Sequence, residues 1–381
     1  LSFHHIIDTY RDFDFTAYLS SVTPRKIESA LAKDNPSDLD FLALLSEAAK
    51  DYLEPMARKA EALTRRHFGN SMLIFTPLYI SNICDNLCPY CSFARHRRID
   101  RRHLSFDEIR RESVAIAQTG IRHILVLTGE SRRLAGPDYL TESIRIVKNE
   151  FSTVSLEVYP LTKEEYAGCA RAGADALTLY QETYDEAAYA ALHQGGPKED
   201  YRFRLDAPER ACQAGMRAVT VGALMGLGDP DSEAFFTGMH ARYLQKNHPA
   251  VEVSVSFPRI RPLSGDFEPP YPVSDSWFVQ VLLATRIFLP FAGITVSTRE
   301  SRRLRDNVMP LGVTKMSAGV STAVGGRLAA PSTAQFEIAD TRSVDELKRD
   351  LVARGFQPVM HDWNFRYVDT SRMDEAAMRA D

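Results

Sequence analysis

The sequence predicts an α/β chain whose centre closes into a TIM-type (βα)8 barrel, with helical extensions on both sides. Three observations carry this reading. Eight short runs rich in Val, Ile and Leu recur through the middle of the chain, apolar throughout, as strands covered by helices on both faces are. Helix-patterned segments end in Gly and pass at once into such a run, as at Ala-Gln-Thr-Gly120, Ala-Arg-Ala-Gly173 and Cys-Gln-Ala-Gly215. A Gly just past a helix end takes the left-handed conformation that turns the chain into the next strand. The intervening segments open on Ser, Thr or Asp with an acid close behind, the pattern of a capped helix.

Taken in order, residues 1–70 read as amphipathic helices, with Phe41-Leu-Ala-Leu-Leu45 as an apolar face. Strands are expected at 72–80, 123–128, 154–158, 176–180, 218–223, 251–256, 294–297 and 313–316. Helices between them start near Ser105, Pro137, Thr162, Ala207, Asp231 and Ser274. Strands alternating with helices imply a parallel sheet, and eight of them favour a closed barrel over 71–325. Residues 326–381 read as polar loops and one helix from Ser343 to Gly355, packed on the barrel as a cap. No Pro/Gly/Ser-rich linker divides the chain, so one compact catalytic domain is expected.

Composition narrows the class. The 381 residues are 44% hydrophobic and 25% charged, enough for a large core, and the net charge of -4 does not ask for nucleic acid. No apolar run approaches the ~20 residues of a membrane span. The opening residues lack the charged and apolar regions of a signal peptide, which makes the cytoplasm the expected compartment.

Three of the five cysteines fall within eight residues, Cys84-Asp-Asn-Leu-Cys88-Pro-Tyr-Cys91. Thiolates are ligands of zinc and of iron–sulfur clusters. Three with no fourth nearby fit a cluster that keeps one iron open to a ligand, whereas a structural zinc site is closed by four. Zinc remains the rival, with His96 or His103 as its fourth ligand. Cys169 and Cys212 sit in helix-like stretches and read as small buried hydrophobes.

Unusual polar residues stand where the expected strands end, the face on which a (βα)8 barrel does its chemistry. The cysteine loop follows the first strand and Thr128-Gly129-Glu130 the second. Glu157 ends the third, and Tyr180-Gln181-Glu182-Thr183-Tyr184 follows the fourth. Arg259 and Arg261 follow the sixth, Thr298-Arg299-Glu300 the seventh, and Ser317 the eighth. Any one of these suits an ordinary capped or salt-bridged loop; together they outline a site.

The cysteine run, with an aromatic before its last Cys, resembles the signature of the radical S-adenosylmethionine (SAM) enzymes. Leu127-Thr-Gly-Glu130, Tyr180-Gln-Glu-Thr-Tyr184, Ser297-Thr-Arg-Glu300, Met316-Ser-Ala-Gly319 and His361-Asp-Trp363 further resemble the aromatic amino-acid lyases of that superfamily. Within them the chain is most similar to the tyrosine lyases that make 2-iminoacetate for the thiazole ring of thiamine. The hydrogenase-maturing tyrosine lyases carry a further C-terminal cysteine motif, and no cysteine follows Cys212 here. Tryptophan lyases remain the alternative, and a non-catalytic iron–sulfur or zinc scaffold is the reading from another class.

The resemblance implies that Cys84, Cys88 and Cys91 hold a 4Fe–4S cluster whose open iron takes SAM. It implies SAM contacts at Tyr90, Phe93, Thr128, Gly129 and Glu130, the ribose at Glu157, and the SAM carboxylate at Arg210 or Arg204. Arg299 and Ser317 would bind the polar end of L-tyrosine. By position alone Gln181, Glu182 and Tyr184 would face the same cavity, Tyr184 either positioning a phenol or packing. An electron from reduced flavodoxin or ferredoxin would release methionine and a 5′-deoxyadenosyl radical. That radical would take a hydrogen from the tyrosine amino group, and Cα–Cβ cleavage would yield 2-iminoacetate and p-cresol. Thiazole synthase is the implied acceptor of the imine.

Overall fold

The computed structural model describes residues 2–261, 267–327 and 332–360; His361, Asp362 and Trp363 lie outside them. Eight parallel strands form the centre: β1 (Ser71–Ser81), β2 (His123–Thr128), β3 (Thr153–Glu157), β4 (Ala176–Glu182), β5 (Ala218–Ala223), β6 (Glu252–Ser256), β7 (Gly293–Val296) and β8 (Lys315–Ser317). Each pairs with the next, and β8 returns to β1 with Leu73 opposite Lys315 and Phe75 opposite Ser317. The sheet is therefore a closed barrel. All eight expected strands are present, within two residues at either end.

The local signals act as expected. Gly120, Gly173 and Gly215 have φ of 87°, 115° and 91°, a region that residues with a Cβ adopt only with strain. Ser105 with Glu108, Thr162 with Glu165 and Ser343 with Glu346 form reciprocal capping boxes at helix starts. Buried Ile74, Val126, Leu156, Val219, Val255, Ile294 and Met316, one from each of seven strands, belong to one continuous core.

The N-terminal helices cover one side of the barrel. Phe41, fully buried, stacks on Phe288 of the helix Asp275–Phe288 with ring centroids 4.4 Å apart. Burying such a ring contributes about 1.5–3 kcal/mol. At the other end of the chain, a ninth strand, β9 (Gln357–Val359), pairs in parallel with the first residues of β1. The sequence reading did not anticipate it, because three residues containing a proline carry no strand periodicity.

The loop after β8 is tied down by buried charge. Arg305, with no exposed surface, pairs with Asp340 and donates to the Ser317 carbonyl at 2.5 Å. Arg342 also binds Asp340, and reaches Asp306 and Asp350 at 2.8 and 2.7 Å. Removing one member of such a network leaves an unpaired buried charge, a loss of about 3–5 kcal/mol.

Candidate active site

The cysteine loop leaves the C-terminal end of β1 and is folded around polar anchors. Asn82 accepts from Arg102 N–H at 2.7 Å and donates to the Asp100 carbonyl at 2.8 Å. Arg101 donates to the carbonyls of Asn82, Phe93, Ala94 and Arg97 at 2.6–3.1 Å, so one guanidinium gathers both ends of the loop. Asp85 N–H donates to the Glu130 carbonyl, and Leu87 N–H to that of Gly195. The loop is thus clamped between the end of β2 and the Gly195 turn, which follows the helix Glu186–Leu192 after β4.

Gly129 makes this clamp close. A Cβ there would lie 2.4 Å from the Ile83 carbonyl oxygen, inside any contact distance. Asn86 completes the junction. It donates to Glu130 Oε2 at 2.7 Å and accepts from the Lys198 N–H at 2.9 Å.

Cys84, Cys88 and Cys91 open onto one cavity, together with Phe93, Thr128, Gly129, Glu130, Glu157, Glu182 and Arg204. Among the described residues no three His, Cys, Asp or Glu side chains converge as a single metal ion requires. A 4Fe–4S cluster spreads three thiolates over three irons, so the donor set suits a cluster better than zinc. His103 stacks instead on Tyr139, 4.2 Å between ring centroids, and His96 is exposed. Burial pushes the Cys91 thiol up to about 12 and the Cys88 thiol above its ordinary value. Thiols in such surroundings become thiolates against cationic charge, which iron supplies.

Glu182 is the strained residue of the site. It has φ of 76°, in the left-handed region that residues other than Gly rarely occupy, next to a register shift in β4. Its Oε1 takes Lys198 Nζ at 2.6 Å and Arg204 at 3.0 Å. Burial opposes the Glu182 charge, but these two cations outweigh it and hold its pKa below the ordinary value. Tyr90 is fixed through its hydroxyl. His193 Nδ1 donates to the Tyr189 carbonyl at 2.8 Å, so its Nε2 accepts from Tyr90 at 2.6 Å.

A second lobe adjoins the first and reaches Tyr90, Arg261, Arg299 and Phe336; a third runs deeper to Ser317. Glu157 and Tyr180 line all three. Ser317 Oγ accepts from Thr298 N–H at 3.0 Å, which leaves its proton to donate. Arg259 and Arg261 are both bound to Glu300, whereas the Arg299 guanidinium lies over the Phe336 ring.

Three expected site residues stand elsewhere; Gln181 is buried and lines none of the three lobes. Tyr184 does not line the cavity: β4 has ended, and its hydroxyl meets His240 Nδ1 at 3.0 Å while its ring packs edge-on against Phe3. Of the two possibilities for Tyr184, packing is what the structure shows. Arg210 donates to the carbonyls of Leu161 and Phe203 and covers the Phe203 ring, so its donors are spent away from the cavity. Arg204 is the one of the pair that faces it.

Sequence reasoning missed Asn86, Arg101, His193, Lys198, Gln335 and Phe336. The Gly195-Gly196 pair marks the tight turn that delivers Lys198. Nothing in the polar stretch around Gln335 and Phe336 sets them apart.

Comparison with known proteins agrees with this geometry. Residues 78–235 match the Radical SAM superfamily, and residues 256–357 match the Biotin and Thiamin Synthesis associated domain. The chain is 39% identical over 353 residues to 2-iminoacetate synthase of Salmonella typhimurium, covering 92% of this chain and 94% of that protein. It is 38% identical over the same length and coverage to the Escherichia coli 2-iminoacetate synthase. The crystal structure of the FeFe-hydrogenase maturase HydG from Carboxydothermus hydrogenoformans superimposes with a TM-score of 0.86 and 31% identity, over 96% of this chain and 87% of that one. Sequence, fold and the cysteine-lined barrel mouth agree, and the chain belongs to the 2-iminoacetate synthase family of radical SAM lyases.

Proposed function

We propose that this protein cleaves the Cα–Cβ bond of L-tyrosine to 2-iminoacetate and p-cresol, consuming SAM to methionine and 5′-deoxyadenosine. The observation that carries the reading is continuity. Three thiols and an Arg299 fork free of hydrogen bonds to the described residues open onto adjoining lobes that share Glu157 and Tyr180. Cys84, Cys88 and Cys91 would hold the 4Fe–4S cluster; when bound, cluster and SAM supply the radical that takes a hydrogen atom from the substrate amino group.

The chain's own residues bind and orient. Tyr90 and Phe93 offer aromatic faces beside the thiols, with Tyr90 locked by His193. Glu130, steadied by Asn86, accepts from the ammonium of SAM, and Thr128 and Gly129 bring the strand end against the cysteine loop. Lys198 and Arg204 leave one positive charge in excess over Glu182, a place for the SAM carboxylate. Arg299 and the Ser317 hydroxyl hold the substrate carboxylate, so that the N–H bond faces the radical and water is kept out.

Among the described residues no helix is long and apolar enough to cross a membrane. The reading places the enzyme in the cytoplasm, where thiols stay reduced and flavodoxin or ferredoxin delivers electrons. It also requires a nearby acceptor, thiazole synthase, because the imine hydrolyses readily.

The test is anaerobic reconstitution with iron and sulfide, then turnover with reductant, SAM and each aromatic amino acid. Tyrosine should yield p-cresol, glyoxylate from the hydrolysed imine, and 5′-deoxyadenosine; Cys88→Ala should yield none of them. Indole products from tryptophan in place of p-cresol would refute the substrate, and a cluster spectrum indifferent to SAM would refute the enzyme class.

A further inference from the structure

The deep lobe between the ends of β1, β7 and β8 has two charged side chains among its described lining residues, Glu157 and Arg299. The rest are aromatic, aliphatic, proline or hydroxyl side chains. One carboxylate and one guanidinium in an otherwise uncharged cavity match the two ends of an amino-acid zwitterion, which a single carbon separates. The inference rests on the reading above, in which Arg299 takes the carboxylate; the group left for the ammonium is then Glu157.

The other acids of the mouth are committed. Glu130 is held by Asn86, Glu182 by Lys198 and Arg204, and Glu300 by Arg259 and Arg261. Glu157 has no hydrogen bond or ion pair to the described residues, and its surroundings act on it through burial and distant charge. The family resemblance offers it the ribose of SAM. Carboxylates do accept from ribose hydroxyls, but here Glu157 shares its lobe with Arg299, and once Arg299 holds the substrate carboxylate the zwitterion's ammonium needs an anion beside it.

We infer that Glu157 is a catalytic base that takes a proton from the ammonium of the bound amino acid before its hydrogen atom is removed. One N–H bond breaks and one O–H bond forms on the Glu157 carboxylate. The electron pair stays on nitrogen, and no oxidant or reductant takes part. Removing a hydrogen atom from the neutral amine then leaves an uncharged radical, where the ammonium would leave a cationic one.

The electrostatics suit the task. Burial raises the Glu157 pKa to about 7, with Arg299 opposing, Glu182 reinforcing, and Arg204 and Lys198 opposing from further away. The phenols of Tyr79 and Tyr180 are its other titratable neighbours. A base balanced near the working pH is the most efficient proton acceptor.

The experiment compares wild type, Glu157→Gln and Glu157→Asp as reconstituted holoenzymes. It measures tyrosine kinetics from about pH 5.5 to about 9 and SAM affinity by spectral titration. Wild-type kcat/KM should rise with pH through an apparent pKa near 7. Glu157→Gln should lose that limb and at least about 100-fold in kcat, with SAM affinity within about twofold of wild type. Glu157→Asp should keep the limb at a reduced rate. The inference is overturned if Glu157→Gln retains rate and limb, or if its loss follows a matching loss of SAM affinity, the signature of a ribose contact. A wild-type enzyme that makes no p-cresol from tyrosine brings down the proposed function and this inference with it; p-cresol from wild type with an unaffected Glu157→Gln brings down the inference alone.

Discussion

The guanidinium of Arg299 lies over the ring of Phe336, 3.6 Å from its centroid. A strand-end cation is thereby aimed by a residue from the loop that follows β8. That loop is itself pinned where Tyr79 donates to Gln335 Oε1 at 2.8 Å and Thr322 Oγ1 donates to the Phe336 carbonyl at 2.9 Å. Contact with the ring face uses none of the arginine N–H groups and leaves the fork for a carboxylate.

Phe336→Leu removes the ring and keeps an apolar side chain. A cation–π contact of about 0.5–2 kcal/mol corresponds to a rise of about 2- to 30-fold in KM for tyrosine. SAM affinity should not move, and Phe336→Trp should restore tyrosine binding. An unchanged KM in Phe336→Leu would show that Arg299 is aimed by something else.

Arg299→Ala should lose about 2–5 kcal/mol of productive tyrosine binding, because the substrate carboxylate is then buried unpaired. Arg259 and Arg261 cannot substitute while both are bound to Glu300. The measured consequence is uncoupling: 5′-deoxyadenosine continues to form while p-cresol per SAM consumed falls. Full coupling with unchanged tyrosine affinity would exclude Arg299 as the anchor.

Gly129→Ala tests the clamp on the cysteine loop. The added methyl would sit 2.4 Å from the Ile83 carbonyl oxygen and 3.2 Å from Cys84 Cβ, so the loop has to shift. Iron and sulfide content after reconstitution should fall while far-ultraviolet circular dichroism stays that of wild type. Full cluster occupancy in this variant would mean that the loop has slack its hydrogen bonds do not suggest.

How much was legible follows from which signals are local. Strand positions, the Gly turns and the capping boxes depend on residues within a few positions of one another, and each stood in the sequence as it stands in the structure. The strand-end rule likewise brought Cys84, Glu130, Glu157, Glu182, Arg299 and Ser317 to one mouth. It failed at Tyr184, two residues beyond the strained Glu182, because past the end of a strand alternation no longer says where a side chain points. It was silent on Lys198, Gln335 and Phe336, which reach the cavity from loops through long-range contacts. β9 escaped for a related reason: a three-residue strand exists only because the first residues of β1 leave a partner site open.

Glu157 also makes a prediction about stability that does not depend on catalysis. Its pKa in the folded protein is about 7 against an ordinary 4.5, raised chiefly by burial. Between those values the folded state binds more protons than the unfolded chain, so its stability falls as pH rises through the window. Below about 4.5 the carboxyl is protonated in both states and the penalty is absent. Above about 7 the penalty is complete and reaches about 3 kcal/mol at 1.36 kcal/mol per pKa unit. Glu157→Gln carries no charge at any pH and escapes it. Denaturant midpoints of the reconstituted proteins without substrate should therefore separate at pH 8, the Gln variant higher, and converge toward pH 4.5. Midpoints that differ equally at both pH values would show that Glu157 meets a cation in the free enzyme, and that its carboxylate is not the open acceptor its surroundings describe.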